Sequence, residues 1–131
     1  MKKLLIIAIL LIVSLGTFSQ DLRLRAHSST YSYADKNGAF NDLETNEHKT
    51  NILIAIGKNT LTVYAKSQTT YSIVAKDEIK YDSIGAYSTI SLLDDEGIQC
   101  IGKIYVPEKT DTYHLIIQYS NVMFVYNCKE E

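Results

Sequence analysis

The sequence predicts an all-β protein: an antiparallel meander of about eight strands, closed or partly closed into an up-and-down barrel. Residues 20–131 contain no stretch of ten or more residues with apolar side chains at helical spacing. Ten Tyr and many Ile, Val and Thr favour strands over helices. Short polar turns separate the alternating segments, as they do in hairpins. A two-sheet sandwich or a half-open roll remains the alternative.

The first strand follows from the alternation of Leu22, Leu24 and Ala26 with charged residues, and we place it over residues 21–34. Asn37-Gly38 predicts a turn into a short returning strand over residues 39–43, and residues 41–50 a long polar loop. A second loop or a frayed strand end is expected over residues 76–83. Alternation and short apolar runs place the remaining predicted strands at 51–56, 61–66, 71–75, 86–93, 98–106, 112–119 and 122–127.

The first nineteen residues have the organisation of a secretory signal peptide. Two lysines precede an apolar run from Leu4 to Leu15, and Thr17 and Ser19 occupy the small-residue positions before a cleavage site. The run is shorter than the roughly 20 residues of a membrane-spanning helix, although an uncleaved anchor is the alternative. We expect cleavage after Ser19 and a single domain, residues 20–131, that is periplasmic or secreted and has no membrane span.

The charge balance narrows the classes of partner. The chain has 13 basic and 15 acidic residues. Removal of Lys2 and Lys3 with the signal peptide leaves 11 against 15, a net charge near −4. A nucleic-acid partner would call for a basic stripe, and simple electrostatic binding to anionic lipid would call for a basic cluster. The composition therefore argues against both partners.

Two C-terminal segments resemble small exported all-β proteins of bacteria that have no assigned function. They are residues 93–100, with an Asp-Asp-Glu-Gly turn before Cys100, and residues 117–127, with the run Tyr-Ser-Asn-Val-Met-Phe-Val-Tyr. The resemblance implies a compact, lipocalin-like β-meander and supplies no catalytic residues. Those proteins often have a second Cys on the strand before the acidic turn. The corresponding place here is near Leu92, so that cross-hairpin pairing is missing.

The two cysteines are expected to lie too far apart for a bridge. The strand 112–119 separates the strands of Cys100 and Cys128, and two strand spacings of about 10 Å exceed the Cα separation that a disulfide tolerates. An intramolecular disulfide is the alternative, since export permits one. We expect Cys100 to be a buried small hydrophobe, and Cys128 to lie near a frayed terminus where it could bridge two molecules.

No arrangement of residues points to catalysis, a cofactor or a metal. His27, His48 and His114 lie on different predicted elements, and the loop residues near His48 match no zinc spacing. Asp94, Asp95 and Glu96 supply too few oxygens for calcium and are better explained as a solvated hairpin turn. No nucleophile elbow or phosphate-binding glycine loop is present. We therefore expect a protein that is not an enzyme.

The tyrosines are the candidate contact residues, because Tyr is favoured at interfaces as well as in strands. The first hypothesis is an exported binding protein that holds a small apolar ligand in the barrel, with the loop 41–50 contributing. The second is a structural or protein-interaction module at the cell envelope, with a filled interior. Inward-facing Gly85, Gly102, Ala75 and Ala86 would favour a cavity. The candidate ligand or partner contacts are Tyr64, Tyr71, Tyr87, Tyr105, Tyr113 and Tyr119.

Overall fold

The computed structural model describes residues 22–40 and 47–131, and these contain nine strands. No helix in these two ranges is long and apolar enough to cross a membrane. The strands are β1 (Leu22–Tyr33), β2 (His48–Ile56), β3 (Thr60–Tyr64), β4 (Gln68–Lys76), β5 (Lys80–Tyr81), β6 (Gly85–Leu93), β7 (Gln99–Pro107), β8 (Tyr113–Gln118) and β9 (Val122–Glu130).

Antiparallel pairing closes eight of these strands into a barrel. The hydrogen-bonded order runs β4-β3-β2-β1-β9-β8-β7-β6, and an additional β4–β6 pairing joins the two ends. The two-residue β5 extends the ring by pairing with β6 where β4 has ended. The predicted up-and-down barrel is therefore confirmed in its closed form, which leaves no full-length edge exposed.

The barrel interior is built by the alternation of strand side chains. Successive side chains alternate between the two faces, and most inward positions carry apolar residues, whereas the outward positions are mixed and include Leu53, Ile101, Ile116 and Val125. The most completely buried side chains include Leu24, Ile54, Leu61, Leu92, Ile104, Leu115 and Ile117, each no more than 1% exposed. Together they form one aliphatic core contributed by every strand of the ring except β4 and β9, which add Tyr71 and Cys128.

Glycines and aspartates shape two of the turns, as their sequences predict. Gly38 and Gly97 have φ values of 80° and 79°, in the left-handed region that glycine adopts without strain. Asp35 and Asp94 each accept two backbone N–H groups of their own turns through one carboxylate oxygen. This is the local Asx hydrogen bonding that favours Asp at the start of a turn.

The predicted loop over residues 41–50 is wrong at its end, because β2 begins at His48. Residues 48 and 49 pair with the far half of β1, so tertiary pairing overrides their polar character. Ala39 and Phe40 are not in a strand, which contradicts the start of the predicted strand 39–43. The rest of that strand, and the loop residues 41–46, lie outside the described residues.

Two bulges change the alternation that the sequence pattern predicts. The register slips between Ala26 and Ser28 in β1 and between Ile73 and Ala75 in β4. A bulge adds one unpaired residue and reverses the face of those that follow. Ala75 is consequently exposed and does not continue the inward row begun by Tyr71 and Ile73.

The environment of Cys128 also differs from the prediction. Strand β9 continues to Glu130 and places Cys128 directly opposite Tyr113, where it is 0% exposed. It is therefore a core residue, and the predicted position at a frayed terminus is wrong. Cys100 is 5% exposed, which confirms its expected burial. Both thiols are free, because they lie towards opposite ends of β8.

Candidate binding surfaces of the barrel

The structure divides the six tyrosines that the sequence singles out. Tyr71, Tyr113 and Tyr119 belong to inward-facing rows, whereas Tyr64, Tyr87 and Tyr105 lie on the outer wall. Tyr64 is on β3, apart from the neighbouring pair on β6 and β7. The six side chains therefore do not converge on one site. They contribute to three places: the interior, the wall around β7, and the wall around β2 and β3.

A row of polar and aromatic residues crosses the outer wall from β1 to β6. Each member is the direct register partner of the next, so the row runs perpendicular to the strands. The row consists of Ser28, Asn127, His114, Tyr105 and Tyr87. The sequence of any one strand does not reveal this row, because each strand contributes only one residue to it.

Hydrogen bonds fix the orientation of the first three members of this row. His114 Nδ1 lies 2.7 Å from Asn127 Oδ1, and Asn127 Nδ2 donates to Ser28 Oγ at 2.8 Å. Since the amide oxygen can only accept, this assignment of the amide requires the proton to be on Nδ1 of His114. Nε2 of His114 is then the ring nitrogen left for other contacts.

The other end of the row is an aromatic pair with a cation and an acid beside it. The rings of Tyr87 and Tyr105 are stacked at 6.0 Å, and Lys103 Nζ lies 4.3 Å from the centroid of the Tyr87 ring. The Tyr105 hydroxyl donates to Asp82 Oδ1 at 2.7 Å. Burial, and then this hydrogen bond, raise the pKa of Tyr105 to about 12. The same bond, with the backbone N–H groups of Gly85 and Ile84, lowers the pKa of Asp82.

A groove of about 520 Å³ lies next to the β6–β7 hairpin, and residues of both the outer wall and the inward-facing rows line it. Val74 and Ile101 both line it and are 62% and 53% exposed. Gln99 and Gln118 provide amide groups beside them. The complete lining is Val74, Ser91, Leu92, Leu93, Gln99, Cys100, Ile101, Gln118, Tyr119 and Ser120. The lining thus combines exposed aliphatic side chains with hydrogen-bonding amide groups.

Aromatic rings collect at the end of the interior nearest this groove. Tyr119 contacts Phe124 edge to face at 6.4 Å, and its hydroxyl donates to Asp94 Oδ2 at 3.0 Å. Tyr71 lies 3.5 Å from the same hydroxyl. Burial is the main cause that raises the pKa of Tyr71 and of Tyr119. These rings are neutral and hydrogen-bonded at physiological pH.

The histidines and acidic residues form no metal centre in the part of the chain that the structure describes. Within it, no group of three His, Cys, Asp or Glu side chains could hold an ion. His27 is exposed, His48 stacks on Tyr31 at 5.9 Å, and His114 belongs to the outer row. Asp94 accepts hydrogen bonds from its own turn and from Tyr119. The expectation that Asp94 belongs to a hairpin turn is confirmed.

The sequence named Tyr87, Tyr105 and Tyr119 as candidate contacts and did not point to the residues around them. Asp82 lies in a charged segment with no motif, and Val74 lies beside a bulge that the pattern does not reveal. Ile101 and Lys103 occupy the outward positions of a strand whose inward positions are apolar. An outward isoleucine was the one available signal, since it interrupts the expected polar face.

Comparison with known proteins adds nothing to this geometry. No family model, no curated protein and no solved structure matches the chain.

Proposed function

We propose that the chain is an exported, non-enzymatic binding protein of the cell envelope, and that it binds a protein partner at the groove beside the β6–β7 hairpin. The observation that carries this proposal is the exposure of Val74 and Ile101 in the lining of the groove. Protein interfaces combine an apolar centre with a polar rim, and the amides of Gln99 and Gln118 supply such a rim here. The apolar segment at the N-terminus supports export.

Packing around Gly102 supports a site on the outer wall over a site in the interior. Gly102 is the inward glycine of β7, opposite Ile90 of β6. A Cβ atom built on it would lie 2.9 Å from side-chain carbons of Ile90 and Leu92. Neighbouring side chains therefore fill the space that this glycine could leave. Ala75 is exposed, so it does not open the interior either.

Photo-crosslinking in the living cell tests the proposal. A benzophenone amino acid at Ile101 should yield an adduct with an envelope protein, because the groove lining is buried in the complex. The same amino acid at Thr60, which is exposed on β3, is the matched control and should yield none. Equal adducts at both positions, or no adduct at Ile101, would refute a specific protein site in the groove.

A small apolar ligand in the aromatic end of the barrel is the second candidate. It is favoured by half-buried rings of Tyr119, Phe124 and Tyr126 that face inward there. Small β-barrels hold ligands at such ends. Native mass spectrometry of the protein isolated from the envelope would reveal a mass above that of residues 20–131 which disappears on denaturation. A bare mass would refute this candidate and leave the groove.

A further inference from the structure

Charge is separated between the strands and the turns of this barrel. Among the described residues, every acidic side chain except Glu130 lies outside the strands, and Glu130 faces Leu24 across an inward position. The strands instead carry basic side chains, namely Arg23, Arg25, Lys49, Lys76, Lys80, Lys103 and Lys129. Outside the strands the described residues also include Lys36, Lys58, Lys66 and Lys109, so the strands are net basic and the turns are net acidic.

Four of these basic residues form a strip along β1, which we call the cationic strip: Arg23, Arg25, Lys49 and Lys129. Arg25 and Lys129 are direct register partners, and Lys49 lies opposite Ser28. Alternation with the buried Leu24 and Cys128 directs Arg23, Arg25 and Lys129 outward. From Arg23 to the level of Lys49 the strip is roughly 16 Å long, at about 3.3 Å per residue.

Within this strip Glu131 neutralises part of the positive charge. Its carboxylate forms a bidentate pair with Arg25, at 2.7 and 3.0 Å. Arg23 and Lys129 are exposed and form no salt bridge with the described residues. The strip therefore has a net positive charge of about three and one built-in competing carboxylate.

We propose that the cationic strip binds a linear anionic polysaccharide whose sugar units carry carboxylates. Complementary charge supplies the attraction, and the length of the strip matches a few consecutive sugar rings. Leu53 is the register partner of Arg25, and Tyr64 is the next partner in that row. The ring of Tyr64, 45% exposed, provides a flat apolar surface beside the cations on which a sugar ring stacks.

A polysaccharide suits this wall better than a nucleic acid. Surfaces that bind single strands present a series of aromatic rings for successive bases, together with a strongly basic groove. The row across β9, β1, β2 and β3 contains one such ring, Tyr64. A surface with one exposed aromatic ring and about three net positive charges suits a polymer of acidic sugars that is held weakly.

The strip and the groove are separate surfaces. Strand β6, which lines the groove, lies four strands from β1 in either direction around the ring. The polysaccharide proposal therefore does not depend on a protein partner at the groove. An Ile101→Ser variant should leave polysaccharide binding unchanged, and loss of the strip should leave the crosslink at Ile101 unchanged.

The test is an NMR titration at low salt. It uses the mature chain, residues 20–131, with an alginate hexasaccharide as the probe. The double variant Arg23→Gln with Lys129→Gln should weaken binding about tenfold. Each exposed charge that is removed contributes a factor of up to about five to this loss of affinity. The matched control, Lys58→Gln with Lys109→Gln, changes the net charge equally but in turns, and should have little effect. Glu131→Gln should tighten binding, because it removes the competing carboxylate.

Several results would overturn the proposal. They are the absence of binding to the hexasaccharide, equal weakening by the control pair, and a tighter interaction with a single-stranded oligonucleotide or with anionic vesicles of equal charge. Retained folding of each variant is checked from its amide spectrum. The gain in affinity expected for Glu131→Gln keeps the test decisive even if the double variant proves unstable, because a structural defect cannot produce that gain.

Discussion

The hydroxyl of Tyr119 donates a hydrogen bond to Asp94 Oδ2 at 3.0 Å, and this bond joins the β6–β7 turn to the β8–β9 turn. The other oxygen of Asp94 accepts the backbone N–H groups of Ile98 and Glu96, at 2.8 and 3.0 Å. One carboxylate thus closes its own turn and attaches it to the end of β8. It also positions the wall of the groove, because Tyr119 is part of the lining.

These bonds predict an acid-dependent contribution of Asp94 to stability. The N–H of Ile98, and then the Tyr119 hydroxyl, lower the pKa of Asp94 below its ordinary value of 3.8. A carboxyl with a depressed folded pKa stabilises the protein above its unfolded pKa and loses that effect as the pH falls through the folded value. The difference in urea midpoint between the native chain and Asp94→Asn should therefore shrink from pH 6 to pH 2.5.

The neighbouring substitution Asp95→Asn is the control for this experiment. The Asp95 side chain is exposed and forms no hydrogen bond with the described residues. Its effect on the urea midpoint should be small across the same range. A difference for Asp94→Asn that stays constant with pH would show that the carboxylate charge does not stabilise the turn.

Gly102→Ala should destabilise the barrel by about 1–3 kcal/mol, because the added methyl group overpacks the core. The new Cβ would meet Ile90 Cγ1 and Leu92 Cδ1, both at 2.9 Å. Leu92→Val removes that Cδ1 atom, so the double variant should lose less stability than the sum of the two single variants. Urea unfolding of the four proteins measures this coupling. A neutral Gly102→Ala would instead reveal free space in the interior and favour the second candidate function.

Local signals in the sequence predicted most of the architecture. Asn37-Gly38 and the Asp94–Gly97 segment marked turns, and alternation identified the long strands, because both are properties of short segments. Strand β5 was missed since two residues cannot show a period. The bulge at Ala26 was missed since the register slip depends on the partner strands.

The surfaces were less predictable than the fold, for a physical reason. The row from Ser28 to Tyr87 and the cationic strip each combine residues from several strands, and only the register brings them side by side. Net charge argued against nucleic acid and anionic lipid as partners, and it averages the acidic turns with the basic strands. Closure of the barrel decides which charges lie on the same wall, and the amino-acid composition does not describe that arrangement.

The thiol of Cys128 should resist labelling until the barrel unfolds. Burial raises the pKa of this thiol to about 12, so the reactive thiolate is scarce even at pH 9. We expect iodoacetamide to modify Cys128 at the rate of global unfolding, measured by mass spectrometry of the digested protein. The denatured chain is the control and should react rapidly. Fast labelling under native conditions, or a mass two units lower without reductant, would contradict the buried free thiol.

Glu130→Met should stabilise the protein by about 1 kcal/mol or more. Glu130 Oε2 is buried and has no hydrogen-bond partner within residues 22–40 and 47–131, and an unpaired buried polar atom is costly. Glu130 faces Leu24, which is 1% exposed, so an apolar side chain of similar length fits its surroundings better. Its charge also contributes, after burial, to the raised pKa of Tyr113, and this contribution should disappear in the variant.

Urea unfolding at pH 7 measures the change in stability. Lys129→Met is the control, since that neighbour points outward and should alter the stability little, whereas a loss of stability in Glu130→Met would mean that the carboxylate is satisfied in solution.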